Sequence, residues 1–152
     1  FLELLRADGH QIFHDVIGKG FNIDHVVIGP NGVFTVETKT YSKPVNKKPS
    51  IELVGQKIML NGKILDKDPV KQIKAQAGWL KELIHNSTGR NIPVKPVLLF
   101  PGWYVEPNNQ KSFLILNPKA FRKLIQFEPS QLAAEDVTLI SFHLSRYIRS
   151  NN

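Results

Sequence analysis

Residues 20–40 read GFNIDHVVIGPNGVFTVETKT, two apolar runs joined by a short turn. Glycine, proline and asparagine at residues 29–32 favour a turn, and the valine, isoleucine and phenylalanine on both sides favour β-strands. We take the turn as symmetric, with its two glycines facing each other. The segment is then predicted to form a β-hairpin in which Asp24 lies opposite Glu37.

The predicted hairpin brings charged side chains together. Side chains alternate along a strand, so Lys39 shares the face of Glu37. Directly opposed like charges destabilise a sheet, and a Mg²⁺ ion held by one or two carboxylates would relieve the repulsion. A solvent-facing salt-bridge cluster would also explain the spacing of these charged residues. The apolar runs favour strands buried on both faces, where a charged pair is costly, and this context favours a functional site.

The same run closely resembles the core of the nuclease-related domain (NERD), a member of the PD-(D/E)xK nuclease superfamily. Asp24 matches the aspartate of the motif, and Glu37, Thr38 and Lys39 match its E-x-K. The resemblance continues in DPVKQIKAQAGWL (68–80), which is similar to the family's next helix with its glutamine at Gln72. It also includes IPVKPVLLFPGWYV (92–105), similar to a later core strand, and is loose beyond residue 105.

The resemblance implies an α/β fold with a restriction-endonuclease-like core, in which a mixed central β-sheet is flanked by helices. We expect residues 1–152 to form a single NERD-like nuclease domain whose first helix is truncated at the N-terminus. The family's first helix carries a Gly-Glu pair whose glutamate joins the site. We expect that glutamate to precede residue 1, and Glu3 is a possible substitute.

The resemblance also implies the roles of the site residues. Asp24 and Glu37 would bind Mg²⁺ or Mn²⁺, with the backbone carbonyl of Thr38 as a third ligand. Lys39 would position or help deprotonate the attacking water, or stabilise a non-bridging phosphate oxygen. Gln72 would orient the phosphate or a water. These roles together predict a metal-dependent endonuclease.

The composition favours an anionic partner. Twenty Lys and Arg against thirteen Asp and Glu give a net charge of +7, and excess positive charge attracts polyanions. Residues 39–48 contain four lysines and no acid, so Lys43, Lys47 and Lys48 are predicted to contact nucleic acid, together with Gln76 on the following helix. A solvated lysine loop is the alternative explanation.

Several function classes are disfavoured. The chain has no cysteine, which excludes disulfides and thiolate chemistry, and its five histidines lack zinc-hydrolase spacing. No phosphate-binding loop or dinucleotide fingerprint occurs, so no small-molecule cofactor is expected. No apolar run approaches the roughly 18 to 20 residues of a membrane span. We therefore expect a cytoplasmic protein with no membrane contact.

Periodicity and turn residues outline the rest of the chain. Strands are predicted at residues 11–17, 51–54, 57–60, 63–65, 94–100 and 112–116, with a proline- and lysine-rich loop at 41–50. Asp68-Pro69 and Asn117-Pro118 predict helix starts, giving helices to about residues 85 and 127. A last helix is predicted to begin near Ser130 or Glu135 and end near Arg149.

The sequence thus predicts a nuclease that hydrolyses DNA phosphodiester bonds, in DNA processing or defence. Two other functions stay open at this point. One is a nucleic-acid-binding module that does not cleave, and the other is a protein-interaction domain of a larger polypeptide. A homodimer is also possible, because double-strand cutters often need two copies of the site.

Overall fold

The computed structural model describes residues 1–65 and 68–151. Four helices and nine strands occur in this part of the chain. The helices are α1 (Leu2–Ala7), α2 (Pro69–Thr88), α3 (Pro118–Phe127) and α4 (Ala134–Ser150). The strands are β1 (Gln11–Ile17), β2 (Asn22–Gly29), β3 (Gly32–Thr38), β4 (Ser50–Val54), β5 (Lys57–Leu60), β6 (Lys63–Ile64), β7 (Val94–Leu99), β8 (Tyr104–Val105) and β9 (Leu114–Leu116).

The larger sheet is mixed, as predicted. Its strand order is β1-β2-β3-β7-β9, with antiparallel pairing in the first three strands and parallel pairing from β3 to β9. Helices cover both faces. Helices α2 and α4 pack against residues such as Val26 and Val33 on one face, and α1 and α3 pack against Val27 and Val36 on the other. The predicted α/β class with a mixed sheet flanked by helices is confirmed.

The β2–β3 hairpin has the predicted register. Gly29 pairs with Gly32, Ile28 with Val33, and the ladder continues to His25 opposite Val36. Central position explains the apolar sequence, because β2 and β3 each have a sheet neighbour on both sides and helices above and below. The hairpin is therefore the centre of the sheet.

A second sheet stands beside the first, in the order β6-β5-β4-β8. Its inner face places Ile51 and Ile58 against Phe100 and Phe113, next to the first turns of α2. Strand β8 was not predicted; its two residues pair in parallel with Ser50 and Ile51 of β4. This pairing joins segments some fifty residues apart, which no local pattern reveals.

Helix α2 connects the two sheets. The Asp68 carboxylate accepts a hydrogen bond from the Lys71 amide, and Pro69 occupies the first turn, which together explain where the helix begins. Gly89 in the left-handed conformation ends it, three residues beyond the predicted end. The predicted apolar stripe is buried: Val70, Ile73, Ala77, Leu80 and Ile84. The polar flank of this helix faces the open end of the hairpin.

Candidate functional site

The open end of the hairpin departs from regular pairing at Asp24. The ladder stops at His25 opposite Val36, one position before Asp24 and Glu37. Instead of a backbone carbonyl, the Asp24 carboxylate accepts the amide of Thr38, with Oδ2 at 3.1 Å from the nitrogen. The side chain of Asp24 is thereby fixed beside the end of β3.

The neighbouring strand is irregular at the same level. Pairing between β1 and β2 skips Asp15 and Asp24, and Asp15 has a left-handed backbone with φ of 49°. Residues three apart on each strand pack into the same core, although alternation would separate them: Phe13 with Val16, and Ile23 with Val26. The register is the same on both sides of this position, so no residue is inserted. We refer to this interruption of the ladder at Asp15 and Asp24 as the bulge, because such irregularities re-aim side chains next to active sites.

Glu37 is buried and incompletely bonded. It is 8% exposed, and its Oε2 has no hydrogen-bond partner within the described part of the chain. Burial, followed by the negative charge of Asp24, raises the pKa of Glu37, while Lys39 opposes the shift from 3.6 Å. An unpaired, buried carboxylate oxygen is costly. The strands therefore hold a carboxylate whose charge is only partly compensated.

The two glutamines of α2 lie in different environments. Gln76 is 1% exposed, its amide nitrogen is 3.5 Å from the Asn22 carbonyl oxygen, and its amide lowers the pKa of Glu37. Gln72, one turn earlier, is exposed. Gln76 is therefore the glutamine beside Glu37, and the contact with nucleic acid predicted for it stays a prediction. The phosphate-orienting role predicted for Gln72 stays a prediction.

The donor set suits a hard cation with incomplete protein coordination. Across residues 1–65 and 68–151, no three His, Asp or Glu side chains lie close enough to form a metal centre. Asp24 and Glu37 supply two carboxylates, and Mg²⁺ is typically bound by one or two carboxylates together with waters and substrate phosphates. The partnerless Oε2 of Glu37 fits such an ion, and the Thr38 carbonyl stays a predicted third ligand.

Glu3 does not form a three-carboxylate group with Asp24 and Glu37 in the described residues, although it lines a surface pocket with His25 and Thr38. Its carboxylate binds Arg6 at 2.9 Å, and its side chain is 82% exposed. On the same face Arg6 approaches Nε2 of His14, and His14 Nδ1 lies 2.9 Å from His25 Nδ1. Arginine can only donate, so His14 carries its proton on Nδ1 and donates it to His25. Burial lowers the pKa of His25, and the nearby His14, when protonated, lowers it further.

The predicted nucleic-acid-binding lysines all lie on the exposed loop after β3. The Lys43 side chain crosses Gly102, where a methyl group would overlap its ammonium end. The Lys48 ammonium lies 4.0 Å from the centre of the Tyr104 ring. Lys47 lines a groove beside the loop. The amines of these three lysines thus lie around the loop that follows β3.

Sequence comparison identifies the family. The family model of the nuclease-related domain, NERD, matches residues 1–101. The chain belongs to the NERD family. The match includes Asp24, the Glu37-Thr38-Lys39 triplet, α2 and β7, and ends before α3 and α4. No curated protein and no solved structure matches the chain significantly.

Family membership confirms the resemblance derived from the hairpin and makes the chain a nuclease-related domain. In the described residues, no helix of the NERD chain has the length and apolarity needed to cross a bilayer.

Proposed function

We propose that this NERD domain is a metal-dependent endonuclease that hydrolyses DNA phosphodiester bonds at the Asp24–Glu37 pair. One observation supports this proposal most strongly. Glu37 is buried beside the Asp24 carboxylate, and its Oε2 has no hydrogen-bond partner among the described residues. This arrangement destabilises the fold unless a cation binds. Membership of the NERD family agrees with this chemistry.

Asp24, Glu37 and the Thr38 carbonyl would hold Mg²⁺ or Mn²⁺. Such an ion supplies a lower pKa for a bound water and positive charge against the phosphorane-like transition state. Asp24 is oriented by the Thr38 amide, so its free oxygen keeps a fixed direction. Metal binding would also fix the charge of Glu37. The pKa of this carboxyl is raised in the metal-free protein, and a nearby cation favours its ionised form.

Lys39 and Gln76 complete the proposed site. The Lys39 ammonium is 3.6 Å from Glu37 and only partly buried, so it can also face a phosphate. In this position it stabilises negative charge on a non-bridging oxygen or orients the attacking water. Gln76 lies on the helix side and favours the ionised form of Glu37 without adding charge. The lysine-rich loop and the net charge of +7 favour DNA as the polyanion.

The test is a plasmid-nicking assay with charge-matched variants. Supercoiled plasmid is incubated with wild type, Asp24→Asn, Lys39→Met and Lys57→Met, each with Mg²⁺, Mn²⁺ or EDTA. In Asp24→Asn the side-chain carbonyl can still accept the Thr38 amide, so the fold should persist, and Lys57 is exposed on β5. We expect Asp24→Asn and Lys39→Met to lose about 100-fold or more in rate, by analogy with the removal of one transition-state contact.

The control Lys57→Met should nick as fast as wild type, and EDTA should stop both proteins. Nicking by Asp24→Asn in Mn²⁺ at the wild-type rate would show that the carboxylate pair is not the site. Undiminished DNA binding with no nicking by any protein would identify a binding module instead.

A further inference from the structure

A groove begins where the chain leaves the carboxylate pair. Residues 41–47 form one side, and the β5–β6 hairpin forms the other; we refer to this space as the loop groove. Its volume is about 600 Å³, within the range of sites that hold small ligands. The lining residues used below are Tyr41, Lys47, Asn61, Lys63, Ile64 and Trp103.

The loop groove is close to the proposed site along the chain. Tyr41 is two residues after Lys39, so their Cα atoms are separated by at most about 7 Å. The Lys39 amide donates to the Leu99 carbonyl, which fixes the start of the loop. The Trp103 indole donates to the Tyr41 carbonyl at 3.3 Å, and the Tyr41 ring stacks on Phe100. A strand bound in the groove would therefore continue directly to Lys39.

The described lining of the loop groove is positively charged. Lys47 and Lys63 line it from opposite sides, and no acidic side chain of residues 1–65 and 68–151 lines it. Lys48 lies nearby, over the ring of Tyr104. A concave surface with amines on both sides and no described carboxylate is complementary to a polyanion. An acidic peptide or a nucleic acid strand would satisfy the charge alone.

The remaining lining distinguishes between these partners and between forms of nucleic acid. Tyr41 is 40% exposed and Ile64 is 60% exposed, so apolar surface is available to a ligand. Asn61 adds an amide that can donate or accept. Aromatic and apolar surface, amides and lysines together match an unpaired strand, whose bases present flat faces and free edges. A duplex keeps those faces stacked inside.

We propose that the loop groove binds an unpaired segment of the polynucleotide next to the phosphate that is cleaved. The proposal rests on the proposed nuclease function and specifies its substrate: single-stranded DNA, or the single-stranded part of a branched or tailed duplex. Lys47 and Lys63 neutralise phosphates on the two sides of the strand, and Tyr41 offers a face to a base.

Binding is measured in EDTA, which separates recognition from cleavage. The ligands are a twelve-nucleotide thymidine oligomer, the matching uridine oligomer and a blunt duplex of equal length, titrated by fluorescence anisotropy at several salt concentrations. The test protein carries Lys47→Ala and Lys63→Ala. The control carries Lys57→Ala and Lys81→Ala, which remove the same charge at exposed positions outside the groove.

We expect wild type to bind the thymidine oligomer more tightly than the duplex. The groove variant should bind the oligomer about 5-fold or more weakly, and its salt slope should fall by about 1.4, or 0.7 for each lost phosphate contact. The control should change both quantities much less. Tyr41→Leu, which keeps the net charge, should also weaken oligomer binding by about 5-fold or more.

Trp103 reports occupancy of the groove directly. The chain has two tryptophans, and Trp79 packs between Phe21 and Tyr147, away from the groove. In a Trp79→Phe protein, the thymidine oligomer should change the fluorescence of Trp103, and the two lysine substitutions should remove that change at the same oligomer concentration. Wild-type protein, with both tryptophans, provides the same comparison if Trp79→Phe folds poorly.

Three results would overturn the proposal: tighter binding of the duplex, equal losses in the groove and control variants, or oligomer binding that leaves Trp103 fluorescence unchanged. Equal binding of the uridine oligomer would support the groove and extend it to unpaired strands with either sugar. Failure to cleave both plasmid and single-stranded circles, with intact groove binding, would refute the nuclease alone. If the groove substitutions leave the nicking rate unchanged on both single-stranded circles and plasmid, the groove alone would be refuted.

Discussion

The two ends of the β2–β3 hairpin differ in regularity. At the turn end, Gly29 pairs with Gly32, Ile28 and Val33 are fully buried, and the Pro30 carbonyl accepts two amides from the segment before α4. At the open end, pairing stops, and Glu37 keeps a carboxylate oxygen without a described partner. The unpaired carboxylate oxygen thus lies at the end where chemistry is proposed, whereas the turn end has only the uncharged His10 Nε2 without a described partner, and the turn end stabilises the hairpin.

The largest effect on stability should come from the turn end. A methyl group at Gly29 would overlap the ring of His10, which is buried and bonded to the Leu5 carbonyl. Overpacking of this kind costs about 1 to 3 kcal/mol, so Gly29→Ala should lower Tm by roughly 3 to 10 °C. Thermal unfolding followed by circular dichroism measures the change.

Gly78→Ala is the matched control for this prediction. Gly78 lies in α2 with open space around its Cα, so the substitution should stabilise the helix by about 0.5 to 1 kcal/mol. In Gly29→Ala, the gain in Tm on adding Mg²⁺ should equal that of wild type, because the turn is remote from the carboxylates. Loss of the Mg²⁺ effect would show that the two ends are coupled.

At the open end, a substitution that removes the proposed function should increase stability. Burial and Asp24 raise the pKa of Glu37 above its ordinary 4.5, so the folded state binds a proton more readily than the unfolded state. Stability attributable to this group is therefore greatest below pH 4.5 and falls as pH rises through the folded-state pKa. Glu37→Gln should stabilise the metal-free protein by about 1 kcal/mol at neutral pH, because it removes an unpaired buried charge.

The gain from Glu37→Gln should shrink as pH falls, since wild-type Glu37 then becomes neutral. The measurement is urea unfolding at pH 7.5 and pH 4 in EDTA, with exposed Glu52→Gln as control. Mg²⁺ should raise the Tm of wild type but not of Glu37→Gln. A Glu37→Gln protein less stable than wild type at pH 7.5 would contradict the view that the carboxylate is strained in the absence of metal.

The turn end could be predicted from sequence, and the open end only in part. Residues 29–32 set the register locally, because turn residues and apolar alternation agree. The bulge at Asp15 could not be predicted, since the preference of aspartate for a left-handed backbone is too weak to mark one position in a strand. Gln72 and Gln76 are one turn apart on α2, but which of the two meets Glu37 depends on tertiary packing.

The two glutamines offer a sharper test of the open end. Gln76→Leu removes the amide that lowers the pKa of Glu37, so the carboxylate should hold its charge less well and Mg²⁺ affinity should fall about 10-fold. Gln72→Leu, at an exposed position, should leave Mg²⁺ affinity unchanged. Calorimetric titration with Mg²⁺ measures both. A loss in Gln72→Leu but not in Gln76→Leu would favour the assignment implied by the resemblance.

The smallest effect should come from the bulge. Asp15 has φ of 49°, a conformation that costs a non-glycine residue on the order of 1 kcal/mol, whereas glycine adopts it freely. Asp15→Gly should leave Tm within about 2 °C of wild type, since lower strain offsets greater chain entropy. Asp15→Val should lower Tm, because a branched side chain is strongly disfavoured at this backbone angle.

Metal affinity of the same variants tests whether the bulge serves the site. Asp15→Gly keeps the left-handed backbone accessible, so Asp24 should stay oriented by the Thr38 amide and Mg²⁺ affinity should be unchanged. If Asp15→Val makes β1 pair regularly, Asp24 would be drawn back into the ladder and Mg²⁺ affinity would fall together with Tm. Loss of Tm with unchanged Mg²⁺ affinity would show that the bulge is only a structural irregularity.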